Sequence, residues 1–116
     1  MLTENQVHCF QSFQTAIAQL DQTINSDLLD RVELHQKIRS LQNLFQTEIQ
    51  PIQTDDYQTH SVLVEINKQM RLLSMDGMFL QTARQVETIR TRIEQIRDRI
   101  KLLTNYCIVI LETLPD

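Results

Sequence analysis

The sequence predicts an all-α fold, an antiparallel bundle of about four helices forming one domain over residues 1–116, and three observations predict it. The 116 residues include 1 Gly and 2 Pro, too little punctuation for the tight turns of a β-sandwich or a doubly wound sheet. Apolar residues recur three or four apart along most of the chain, the spacing that gathers side chains onto one helix face. Hydrophobic residues make up 41%, with 15 Gln and 11 Thr filling most polar faces, which places the chain well above the hydrophobicity of a disordered tail. A chain of this length should bury roughly 65% of its unfolded surface around one modest core.

The first predicted helix covers residues 3–25, with Val7, Phe10, Phe13, Ile17, Leu20 and Ile24 inward and Thr3 and Gln6 spaced for a capping box. Asn25 and Ser26 interrupt the pattern, and Ser26 or Asp27 caps a second helix reaching Gln50, with Leu34, Ile38, Leu41, Phe45 and Ile49 inward. So short a connection makes the pair an αα-hairpin. Pro51 ends the second helix, because its ring disfavours helical backbone at Gln50. The stretch from Pro51 to about Thr59 is then the one long loop, with Asp55 and Asp56 at its tip.

From about His60 onward the heptad phase decides the organisation. Leu63, Ile66, Met70, Leu73, Gly77 and Leu80 form one run. Val86, Ile89, Ile93, Ile96, Ile100, Leu103, Cys107, Ile110 and Leu114 form a second that does not continue its phase. A break near residues 81–86, with Thr82 and Gln85 as a capping box, resolves the conflict. A continuous helix with a local stammer is the rival. The break gives four helices of matched length, about 35–43 Å each at 1.5 Å per residue, as an up-down-up-down bundle requires. Gly77 reads as a close approach of two helices, with a turn at Asp76-Gly77 as its rival.

The formal charge is −4, and residues 1–83 hold 5 basic and 10 acidic side chains against 6 and 5 in residues 84–116. An acidic body argues against nucleic-acid binding, which needs a basic surface. The N-terminal residues carry no leader pattern, and the longest apolar run, Cys107 to Leu111, falls far short of a membrane span. A cytoplasmic protein without membrane insertion is expected. Cys9 and Cys107 show no CxxC spacing and are expected as reduced, buried thiols.

His8, His35 and His60 lie on different segments without metal-ligand spacing, and no glycine-rich loop or nucleophile elbow is present. No enzyme activity, metal or cofactor is expected. Met70, Met75 and Met78 fit core or core-edge packing better than an adaptable binding surface. The last helix is more informative. With Ile93 and Ile100 at heptad position a and Ile96 and Leu103 at d, Arg90 and Arg97 fall at e and Arg92 and Arg99 at g. Positions e and g choose coiled-coil partners. Glu94 lies one turn from Arg90 and Arg97, whereas Arg92 and Arg99 have no carboxylate three or four residues away. Arg92 and Arg99 either await an acidic surface outside the chain or lay their stems on apolar surface with the guanidinium groups in water.

The stretch Glu65-Ile66-Asn67-Lys68-Gln69-Met70-Arg71-Leu72-Leu73, then Asp76, Phe79-Leu80-Gln81 and Ala83-Arg84-Gln85, resembles the PatD family of cyanobacterial heterocyst frequency control proteins. Arg92, Asp98-Arg99, Leu103 and Tyr106-Cys107 resemble that family's C-terminal helix. The likeness covers about residues 60–111. It implies a small all-helical cytoplasmic protein that binds the division protein FtsZ, promotes filament bundling, and so influences cell division and heterocyst frequency. Lys68, Arg71, Asp76, Arg84, Arg92 and Arg99 match the family pattern, and a structural ion pair of Asp76 with Arg71 or Arg84 is an equal reading. The expectation is therefore a non-enzymatic regulator whose partner-binding residues are Arg71, Arg84, Arg92 and Arg99. The alternatives are a homo-oligomeric helical adaptor, such as a homodimer built on the last helix, and a small-molecule sensor with a ligand between helices.

Overall fold

The structure is a computed structural model that describes residues 2–112. Four helices run along the chain: α1 (Glu4–Ile24), α2 (Arg31–Leu44) continued by a π-helical turn (Phe45–Ile49), α3 (Tyr57–Thr82) and α4 (Val86–Glu112). Each packs on its neighbours in sequence and α4 closes the ring against α1. This is the antiparallel bundle that the periodicity predicts, 47 × 21 × 21 Å overall.

Local chemistry explains each boundary. The Thr3 hydroxyl accepts from the Gln6 N–H at 3.1 Å and the Gln6 side chain accepts from the Thr3 N–H at 2.9 Å, the expected capping box. The expected cap of α2 at Ser26 or Asp27 does not form. Asp30 takes that place and accepts from the Val32 N–H at 2.9 Å. The Ser26 hydroxyl instead accepts from the Leu28 N–H within the connection. Three candidate caps within five residues look alike in a pattern of spacings, and only the folded backbone chooses.

The end of α2 widens. The Gln50 N–H reaches the Phe45 carbonyl at 2.8 Å, a bond five residues back, and this wider turn keeps Phe45 and Ile49, each four residues beyond the last inward residue, on the core side. Phe45 meets the Phe13 ring with centroids 5.9 Å apart. Helix α3 begins at Tyr57, earlier than expected, because Asp56 caps it. Its carboxylate accepts from the Thr59 N–H at 3.0 Å and from the Thr59 hydroxyl at 2.6 Å, and these bonds hold the Asp56 carboxyl below its ordinary pKa.

The break before α4 is present: α3 ends at Thr82, and Ala83 is extended with φ −67° and ψ 135°. The expected Thr82 capping box is not formed, since the Thr82 hydroxyl turns back to the Phe79 carbonyl at 3.3 Å. What closes the corner is Arg31, from the start of α2. Its guanidinium donates to the carbonyls of Leu80 at 2.9 Å and Ala83 at 2.6 Å, satisfying acceptors that a helix C-terminus leaves open.

The core matches the predicted inward positions closely, from Phe10 and Phe13 through Leu34, Ile38, Ile66, Met70 and Leu73 to Ile96, Ile100 and Leu103. Val7, Leu63, Ile89 and Ile93 are half-covered. Val86, expected inward, is 69% exposed. Leu114 lies outside the described residues. Met75 and Met78, expected at the core or its edge, are exposed, while Met70 is buried.

Gly77 is helical and marks the close approach of α2 and α3. A Cβ there would lie 3.0 Å from Ile38 Cδ1 and 3.6 Å from its Cγ2. A β-branched residue would meet Ile38 with two further methyl groups. Gly77→Val is therefore expected to destabilise the bundle by about 1–3 kcal/mol, measured by urea unfolding. The double variant with Ile38→Ala should lose less than the sum of the two single losses, as contacting residues couple.

Candidate functional site

Arg92 and Arg99 find their acid inside the chain. Asp76 on α3 is buried, and its two oxygens receive Arg92 Nη1 at 3.4 Å and Arg99 Nε at 3.2 Å. The two arginines are seven residues apart, two turns of α4, so they approach the carboxylate from either side along one helix face and clasp it. Arg92 also donates to Gln95 Oε1 at 2.9 Å, and its guanidinium carbon lies 4.6 Å from the centre of the Phe79 ring, a cation–π distance. Neither sequence reading of these residues has them paired with an acid of the chain, and the partners of Asp76 are Arg92 and Arg99, not Arg71 or Arg84. The pairing joins residues 16 and 23 positions apart, so no local spacing announces it.

Arg71 and Arg84, the other two expected partner-binding residues, are exposed and make no ion pair among the described residues. Arg71 lies midway along α3 and Arg84 in the corner before α4, so the four arginines do not form one cluster. Of the second rail, Arg97 Nε donates to Asn25 Oδ1 at 3.1 Å, and Arg90 is exposed without a partner among the described residues.

The Arg97–Asn25 bond also fixes levels in the bundle. Asn25 caps the C-terminus of α1, so α4, which starts at Val86, begins about two turns or more before the level at which α1 ends. Over that length Val86 is exposed and Ile89 and Ile93 are half-covered. Val86, Ile89, Arg90, Ile93, Glu94 and Arg97 line a shallow groove of about 310 Å³ there, contributed by α4 alone.

Elsewhere the surface carries an α2–α3 groove of about 500 Å³, bordered by His35, Arg39, Gln42, Ser74 and Met78. A smaller cleft of about 160 Å³ lies between the π-helical turn and α3 and includes His60. Among the described residues no group of three His, Cys, Asp or Glu could hold a metal ion. No helix among them is long and apolar enough to cross a membrane.

Both cysteines are buried free thiols, as expected. Burial pushes Cys107 up to about 12. Cys9 donates to Glu48 Oε2 at 3.1 Å, and that bond, with burial and the nearby negative charge, raises its pKa as well.

These features define an all-helical bundle protein with an internal Arg–Asp–Arg clasp and an uncovered, arginine-flanked strip on its last helix. Residues 11–105 match the family described as the CRR41 C-terminal domain, and the chain belongs to that family. No curated protein and no solved structure matches it significantly.

Arg92→Glu/Arg99→Glu sets two further carboxylates against buried Asp76 and should cost about 3–5 kcal/mol of stability, read by urea unfolding with circular dichroism. A thiol reagent at pH 8 should modify both cysteines slowly in the native protein and rapidly in urea. Glu48→Gln should speed modification of Cys9 and leave Cys107 unchanged.

Proposed function

We propose that this protein is a non-enzymatic, protein-binding regulator that engages an acidic partner through the uncovered half of α4. The observation that carries this reading is the strip beyond the end of α1, where Val86 stands exposed beside Arg90 and Arg97. Apolar residues at heptad core positions, flanked by arginines that form no salt bridge among the described residues, are the parts from which helix interfaces are made. Arg84, exposed at the same end of the bundle, extends the basic surface. Arg71 lies apart from it on α3 and has no role in this strip.

The resemblance of residues 60–111 to PatD supplies FtsZ as the partner to test and regulation of cell division and heterocyst frequency as the role. Arg92 and Arg99 are poor probes, because replacing them breaks the clasp on Asp76. The informative variant is Arg90→Glu/Arg97→Glu, whose side chains are exposed. Assembled FtsZ from the organism of origin should pellet the wild-type protein at low salt and release it as salt rises. The variant, with an unchanged melting curve, should pellet at least about tenfold less, a loss of about 1.4 kcal/mol. Absence of co-sedimentation at low salt would remove FtsZ as the partner. Dimers detected by light scattering across a concentration series would favour a homo-oligomeric adaptor.

A further inference from the structure

We propose that the overhanging face of α4 is the docking site of an amphipathic helix with acidic flanks, carried by a partner protein and lying in the line that α1 vacates. The inference rests on the protein-binding role above and names the chemistry of what binds.

The geometry selects a helix. Beyond the level of Asn25, α4 keeps its heptad core positions Val86, Ile89 and Ile93, but α1, which covers later core positions of α4, has ended. Val86 is 69% exposed, and Ile89 and Ile93 are half-covered. From Val86 to Arg97 the helix rises about 16 Å, a length that three turns of a partner helix would span. The groove runs along this length and is made by one helix face, so a second helix packed beside it would complete the ring that α1 closes further along.

Charge selects the sign of that helix. Position e lies beside the seam and meets the flanking residues of whichever helix packs there. Arg97 shows this within the chain, because its guanidinium reaches across to Asn25 at the last turn of α1. Asn25 offers a neutral amide oxygen. One level higher, Arg90 has no partner among the described residues, and Glu87 and Glu94, each one turn from it, form no salt bridge with it. A helix continuing the line of α1 would therefore meet two guanidinium groups that no salt bridge holds among the described residues, and glutamates or aspartates at its flanking positions complement them. Two copies of α4 packed antiparallel through this face would bring Arg90 of one copy toward Arg97 of the other, and such like-charge contacts oppose association. The g rail offers no competing surface, since Asp76 holds both of its arginines.

The test uses the full-length protein, isotope-labelled for NMR, and two synthetic peptides of about three heptads. Both have leucine at a and d. One has glutamate at e and g, and its twin has lysine there. The glutamate peptide is expected to shift amide signals within residues 86–97, to bind at least about tenfold more tightly than the lysine twin, and to weaken as salt shortens the screening length. Arg90→Glu/Arg97→Glu, with its melting curve unchanged, is expected to reverse the preference in favour of the lysine peptide. The proposal is overturned by equal binding of the two peptides, by signals that move on another face, by no binding at low salt, or by self-association that shifts the same amides. Failure of FtsZ to bind while the glutamate peptide docks would remove FtsZ and leave the docking site standing. FtsZ binding that survives the charge reversal would keep that partner and remove the site.

Discussion

A carboxylate placed between two packed helices must be neutralised where it lies, and at Asp76 that requirement organises one side of the bundle. Its side chain is 6% exposed, while those of Arg92 and Arg99 are 30% and 25% exposed. The acid is therefore nearly dry and the bases reach it from the edge. Leaving such a group unpaired costs more than the pair itself contributes, so the contact fixes the rotation and register of α4 on α3. With Asp76 between arginines two turns apart, α4 cannot slide along α3 by a turn without losing one of them. That register sets the height at which α4 begins, and hence the length of α4 that α1 leaves uncovered.

The corner between α3 and α4 depends on a second long-range arginine. No glycine or proline forces the chain to break there, and the backbone at Ala83 is ordinary extended backbone. The break is held by heptad phase on both sides and by Arg31, which places its charge against the carbonyls of Leu80 and Ala83. Arg31, Arg92 and Arg99 are thus consumed by the fold, and their charge is spent on internal acceptors. A count of basic residues in the last third of the chain overstates the positive surface offered to a partner.

The helices and most of the core were legible in the sequence because periodicity is a local signal. Phe10, Ile38, Leu73 and Ile100 stand inside where their spacing puts them, and the phase fault near residue 82 correctly placed the end of α3. Gly77 was legible for the same reason, as an inward position with no side chain to accommodate. Caps were less so, because Ser26, Asp27 and Asp30 all qualify and the winner depends on where α2 packs. Val86 continues the heptad pattern and is nevertheless exposed, because a heptad shows which face of α4 is apolar and cannot show how far α1 extends to cover it. The arginine rails were visible as two stripes. Which stripe faces Asp76 and which faces outward depends on α3 being the g-side neighbour, a fact of tertiary topology that no single-helix pattern contains.

The division of labour between the two rails is the centre of this account, and its most direct test is a double-mutant cycle on Asp76 and Arg99. Unfolding free energies in urea for the wild type, Asp76→Ala, Arg99→Ala and the double variant give the coupling between the two side chains. A favourable coupling of about 1–3 kcal/mol is expected, within the range for residues in one salt-bridge network. A coupling within about 0.5 kcal/mol of zero, the additivity expected of independent sites, would contradict it and return Arg92 and Arg99 to the surface.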